Sequence, residues 1–229
     1  MIIQKIKEHD RALWYVSKTI ENGWSRNVLG IQIENQLYER QAQKPKIDNF
    51  ATHLPSPHSE LVSEVLKDPY IFDFISAGED AKEREIETAL VDKITHFMLE
   101  LGKGFAFVGR QYHLEVGGED FYLDLLFYHL RLRCYVVIEL KAGQFRPEYA
   151  GKLNFYLTAL DELLKMPQDN PSIGLILCKD RNNVIAEYSL RDIGKPIGIS
   201  RYQLSEKLPE DLKANLPSAE EVEKMLEES

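Results

Sequence analysis

The sequence predicts an α/β domain with a mixed sheet, set behind a smaller helical unit. Two observations carry this. After residue 80 the patterns run helix, three strands, helix, strand, and three consecutive strands exclude a simple doubly wound sheet. Before residue 42 the periodicity is helical throughout. The chain's 229 residues, 44% hydrophobic and 28% charged, suffice for one ordinary core with a small helical partner and exclude wholesale disorder.

Residues 5–22 read as an amphipathic helix with Leu13, Val16 and Ile20 on one stripe, ended by Gly23. Ser25 can N-cap a second helix over 26–41, with Val28, Ile31 and Leu37 on one face. The outline fits a plain helical hairpin and, as the sharper alternative, a helix-turn-helix in which Arg26, Asn27, Gln32 and Asn35 would contact DNA. Residues 42–59 hold three prolines and little periodicity, as a linker does. A short helix over 59–66 follows, then an aromatic segment over 70–75 suited to docking on the next domain, then a loop over 76–80.

The second half is more regular. Residues 81–101 predict one helix with Ile86, Leu90, Ile94, Phe97 and Leu101 on its stripe. Strands are expected over 105–116 and 121–128, joined by Gly117-Gly118, and over 134–141, a run apolar enough to be covered on both faces. Pro147 opens a helix over 147–164 with Tyr149, Leu153, Tyr156 and Leu160 in line. Residues 173–178 form another buried strand; 184–190 and 197–200 are weaker elements. Residues 205–229 form an acidic tail, with a capping box over 218–221 before a short helix. The expected division is a helical domain over 1–58, a junction over 59–80, the α/β domain over 81–204 and the tail.

The net charge is −9, which disfavours a protein that coats nucleic acid. Residues 205–229 carry −5 of it, leaving −4 on the rest and room for local basic surface. No segment approaches the ~20 apolar residues needed to span a bilayer, and the first residues carry no export signal. The expectation is a cytoplasmic protein with no membrane partner, its Cys134 and Cys178 reduced.

The chemistry centres on Glu139 and Lys141. They lie two apart on an apolar strand and so share a face. Asp124 is equally out of place on the preceding strand. If the strands are neighbours, Asp124 and Glu139 converge, and two buried carboxylates repel unless protonated or bridged by a cation. Oxygen ligands select a hard ion, Mg²⁺ or Mn²⁺. The ammonium of Lys141 would then orient a water or balance phosphate charge. The plain structural alternative is a strand-end acid and an exposed pair on an edge strand. The run 135–138 is hard to place on an edge, which argues against it, because ionised groups seldom sit in buried strands without partners.

Asp124 and Glu139-x-Lys141 with their flanking helices resemble the PD-(D/E)XK nuclease superfamily. The segments 105–111, 121–128, 136–141 and 154–157 are similar to the YhcG-type nuclease family within it, as are 24–26, 37–40 and 67–70. The resemblance implies a restriction-endonuclease-like core (α-β-β-β-α-β, a mixed sheet flanked by helices) and hydrolysis of nucleic acid by a metal-activated water, and it favours DNA over RNA as the substrate. It implies Asp124 and Glu139 as metal ligands and catalytic residues, the Leu140 carbonyl as a third ligand, Lys141 as the catalytic lysine, and Glu87 as the helix acid completing the site.

Three departures stand out. Leu123 replaces the proline usual before the first acid. Lys152 occupies the place of a glutamine four residues before Tyr156, which bears on substrate positioning. The helical domain is shorter than the family's. Lys152, Tyr156, Arg110, Gln111, Arg131, Arg133 and Arg146 are the candidate nucleic-acid contacts, although solvated loop charge is the simpler reading of the arginines. Paired-strand cleavage would suit a homodimer. The rival expectation is a non-catalytic nucleic-acid-binding or assembly subunit on a decayed nuclease fold.

Overall fold

The computed structural model describes residues 6–43, 46–75 and 81–204. The tail over 205–229, the loop over 76–80 and residue 5 of the expected opening helix lie outside these.

Two helices, α1 (His9–Asn22) and α2 (Arg26–Glu34), come first among the described residues. Gly23 ends α1 at φ 66°, and the Ser25 side chain accepts from Val28 N, as expected of an N-cap. The faces differ from the expected ones. Leu13, Val16, Ile20 and Ile31 are exposed, and Tyr15 is fully buried with Leu29, Ile33 and Leu37. The tyrosine outcompetes the aliphatic stripe because its ring buries a large area and its hydroxyl has two partners. It donates to Gln32 O at 3.2 Å and accepts from Tyr38 N at 3.1 Å. Gln32, read above as a DNA contact, is itself buried.

A π-helical turn (Glu39–Gln43) leads into β1 (Ile47–Asp48), α3 (Phe50–His53), α4 (His58–Val65) and β2 (Tyr70–Phe72). From residue 46 onward, the stretch read as a linker is therefore structured. Here β1 pairs antiparallel and β2 parallel with the last strand, and Phe50, Tyr70, Phe72 and Ile75 lie in the same core as the sheet. Two buried ion clusters fix this stretch. Arg40 meets Glu100 at 2.5 Å and donates to Pro69 O at 3.0 Å, while Lys67 donates to Glu100 O. Asp68 meets Arg181 at 2.5 Å and Arg201 at 3.3 Å.

The expected helix over 81–101 breaks into α5 (Glu83–Asp92) and α6 (Ile94–Leu101) at Lys93, with Ile86, Leu90, Phe97 and Leu101 buried as the stripe requires. Then come β3 (Phe105–Val116), β4 (Glu119–His129), β5 (Cys134–Gln144), α7 (Pro147–Leu163), β6 (Ile173–Asp180), α8 (Asn183–Arg191) and β7 (Ile197–Leu204). The sheet order is β1-β7-β6-β5-β4-β3, with β2 also on β7. Strands β3, β4 and β5 form an antiparallel meander, and β5, β6 and β7 run parallel. The mixed sheet flanked by helices is thus the expected restriction-endonuclease-like arrangement. One core lies under α5 and α6, the other under α7 and α8. β5 feeds both: Val136, Ile138 and Leu140 enter the first, Val137 the second.

His129, at the end of β4, is a core residue. Its Nδ1 accepts from Leu132 N at 3.1 Å, and Gly104, at φ 103°, lies so close that a β-carbon there would meet the ring at 2.8 Å. Burial lowers its pKa to about 4. Because the unfolded value is about 6.5, this group's contribution is complete above pH 6.5 and is lost as pH falls towards 4. Its size is up to ~3 kcal/mol. His129→Asn keeps an acceptor for Leu132 N and does not titrate there. Urea unfolding at pH 7 and pH 4 should show the variant losing roughly 2–3 kcal/mol less than wild type; equal losses would refute the assignment.

Candidate active site

Strands β4 and β5 pair from His129↔Cys134 to Leu125↔Ile138 and then part. The next opposed residues are Asp124 and Glu139, whose side chains take over the missing ladder contacts. Asp124 Oδ2 accepts from Leu140 N at 2.9 Å, and Glu139 Oε1 lies 3.4 Å from Asp124 N. The facing of β4 also changes here: Leu125 and Phe127 enter one core, Leu123 and Leu126 the other. The convergence expected from the sequence is therefore present, on a strand buried on both faces.

Lys141 shares the Glu139 face. Its Nζ donates to Leu140 O at 2.7 Å and lies 3.5 Å from Glu139, 3.8 Å from Asp124 and 3.4 Å from Glu83. The Tyr149 ring centroid is 5.3 Å from the ammonium. Glu139 is 1% exposed. Burial first, and Asp124 second, push its carboxyl above the usual range, with Lys152 and Lys141 opposing.

Lys152 is partly exposed, yet its ammonium turns into the site. Its Nζ donates to Glu139 Oε2 at 3.0 Å and lies 4.9 Å from the Tyr156 ring centroid. Burial alone would lower its pKa, but the Glu139 carboxylate outweighs that and raises it. Tyr156 is buried beneath it, beside Phe121.

Gln111, at φ 44°, sits opposite Asp124 between the pairs Arg110↔Leu125 and Tyr112↔Leu123. Its amide donates to Glu87 and lies 3.5 Å from Asp124. A left-handed non-glycine residue is strained, and such strain gathers at functional sites. Glu87 is buried, and burial, ahead of the repulsion from Asp124, raises its pKa while Gln111 opposes. It thus reaches the acid pair through Gln111.

The sequence reading missed Glu83. Its Oε1 accepts from Ala142 N at 3.2 Å and its Oε2 faces Lys141. Glu83 lies one helical turn from Glu87, a spacing that puts both on one face and could have revealed it. The remaining arginines divide. Arg110, on β3, and Arg146, at the N-cap of α7, belong to the site's end of the sheet. Arg131 and Arg133 belong to the β4–β5 turn, at the opposite end of β5, where Arg131 meets Glu21 at 3.2 Å and Arg133 donates to Gln168 O. The antiparallel hairpin that brings Asp124 to Glu139 carries its own turn away from them.

Among the described residues no three His, Cys, Asp or Glu side chains gather closely enough to form a metal cage. The local chemistry nevertheless fits a hard divalent ion. Asp124, Glu139 and the Leu140 carbonyl supply oxygen donors, and the Lys141 ammonium against that carbonyl and both acids shows that the point attracts positive charge.

The model of the YhcG PDDEXK nuclease domain matches residues 63–217. The chain belongs to this family. "Putative nuclease YhcG" from Escherichia coli (strain K12) is 36% identical over 207 residues, covering 90% of this chain and 55% of that one. The chain thus spans about half the length of this curated YhcG relative. Among solved structures, a repair endonuclease from Pyrococcus abyssi is 19% identical with a TM-score of 0.38, covering 56% of this chain and 49% of that one. The EndoMS-dsDNA2 complex is 17% identical with a TM-score of 0.37, covering 57% and 47%.

The Leu140 N–H tests the geometry without reference to activity. Asp124→Asn retains an acceptor for it, and Asp124→Ala leaves it unpaired. The alanine variant should be less stable than the asparagine variant by about 1–2 kcal/mol in urea unfolding; equal stabilities would remove the bond from the account.

Proposed function

We propose that this YhcG-family chain is a divalent-metal-dependent phosphodiesterase that cuts nucleic acid, with DNA as the substrate. The observation that carries the reading is Asp124 and Glu139 closing across the parted ends of β4 and β5, with Lys141 beside them. The choice of DNA rests on the family resemblance. Asp124, Glu139 and the Leu140 carbonyl would hold Mg²⁺ or Mn²⁺, which when bound acidifies water and offsets charge on a phosphate. Lys141 orients the attacking water and balances phosphate charge from its fixed place on the Glu139 face. Glu83 aligns Lys141 by accepting from it and from the β5 backbone. Gln111 spaces Glu87 from Asp124. Arg110 and Arg146 supply backbone contacts at the mouth.

A second reading is supported by one observation. Lys152 neutralises Glu139 directly, as a decayed site serving only binding or assembly would tolerate. A gel assay decides between them, using linear, nicked, branched and single-stranded DNA with Mg²⁺ or Mn²⁺ and with chelator. We expect cleavage that chelator abolishes. Glu139→Gln should lose at least ~100-fold, and Lys141→Ala should lose turnover while retaining metal binding. Full activity in Glu139→Gln would end the site assignment, and inactivity of wild type on every substrate would favour the binding subunit.

Affinity should fall with salt, because phosphate contacts release counterions. Arg146→Gln should flatten the plot of log Kd against log salt by about one unit. Arg133→Gln, at the far turn, should leave it unchanged. Equal effects would show that the bound polymer does not follow the mouth.

A further inference from the structure

Two ammonium groups meet Glu139, and they differ in freedom. Lys141 is 7% exposed, donates to Leu140 O and is enclosed by Glu83, Asp124 and the Tyr149 ring. Lys152 lies closer to Glu139 Oε2, at 3.0 Å against 3.5 Å, yet its side chain is 43% exposed. Lys152 donates to a single acid, and the Tyr156 ring flanks its ammonium. A lysine stem beside solvent can swing outward at small cost, whereas Lys141 has no comparable exit.

We propose that Lys152 is a built-in competitor for the divalent cation: its ammonium must leave Glu139 Oε2 before a metal can use that carboxylate. This rests on the metal-dependent reading above. Lys152 thereby raises the metal concentration at which the site fills. The buried Glu139 is charge-compensated while the site waits, and metal entry exchanges one cation for another. A Lys152 ammonium kept 3.0 Å from Oε2 would both occupy that oxygen and repel the incoming ion, and Lys152, unlike the enclosed Lys141, has a way out to solvent.

The test is calorimetric titration of the intact protein with Mn²⁺ alone, with no nucleic acid. Lys152→Gln and Lys152→Met remove the charge in two ways, polar and apolar, and both should bind Mn²⁺ at least threefold more tightly than wild type. Lys152→Arg keeps the charge and should remain within twofold of wild type. A merely structural lysine would not separate the neutral variants from arginine in this way. Glu139→Gln serves as the control, and its loss of Mn²⁺ heat reports the metal site itself. Equal affinities in wild type, Lys152→Gln and Lys152→Met, with heat that depends on Glu139, would overturn the competitor role alone. Absence of Mn²⁺ heat from every protein, wild type included, would overturn the metal-dependent reading and this inference with it.

Discussion

The parting of β4 from β5 after Leu125↔Ile138 is the constraint on which the site depends. Buried backbone groups must find partners. Where the ladder stops, the Asp124 carboxylate supplies an acceptor for Leu140 N. The same hydrogen bond closes the sheet and fixes an acid. Glu139, opposite, is held by its strand's burial on both faces and by two ammonium groups. The acids are thus part of the sheet's own construction, and their separation is set by backbone geometry before any ligand is considered.

A second level of order comes from the junction. Arg40 and Lys67 converge on Glu100, and Arg181 and Arg201 on Asp68. All of these except the half-exposed Arg201 are deeply buried, and such charges are weak sources of net stability, but removing one partner strands the other at considerable cost. Their arrangement couples the end of the opening helical segment to α6 and to the rim of the sheet. The helix α5, which carries Glu83 and Glu87, is therefore placed by a frame that begins before residue 50. The segment read as a linker is part of that frame.

Strand positions were legible in the sequence because period-two patterns survive wherever a sheet is covered. The limits of β3 agree with expectation to the residue, and the pairing of Asp124 with Glu139 follows from adjacency alone. The helical faces of the first unit were less legible. Leu13, Val16 and Ile20 make a good stripe, but a single tyrosine with a bonded hydroxyl decided which side turned inward. Glu83 looked like an ordinary surface acid because its partners, Lys141 and Ala142 N, lie 58 and 59 residues away in the chain. Arg131 and Arg133 looked close to the site in sequence, yet the hairpin that brings the acids together sends its turn the other way. Lys152 was legible as a departure from the family pattern, but its partner was not.

The irregularity in β3 gives the strand something like a reading frame. The pairing of β3 with β4 shifts between Phe107 and Gly109, so that Val108 is one residue more than the partner strand needs. Downstream of that shift Gln111 falls opposite Asp124; upstream register, continued, would have placed Arg110 there. A neutral amide, rather than a guanidinium, therefore separates Asp124 from Glu87. Straightening the bulge with every residue kept would slide the later β3 residues by one position along β4 and set the Arg110 guanidinium, in place of an uncharged spacer, against the first acid, whereas deleting Val108 would remove only the extra residue and leave Gln111 opposite Asp124. Changes of length are usually absorbed in loops; here one is absorbed inside a strand, and the chemistry of the site is tied to a bulge three positions upstream of Gln111.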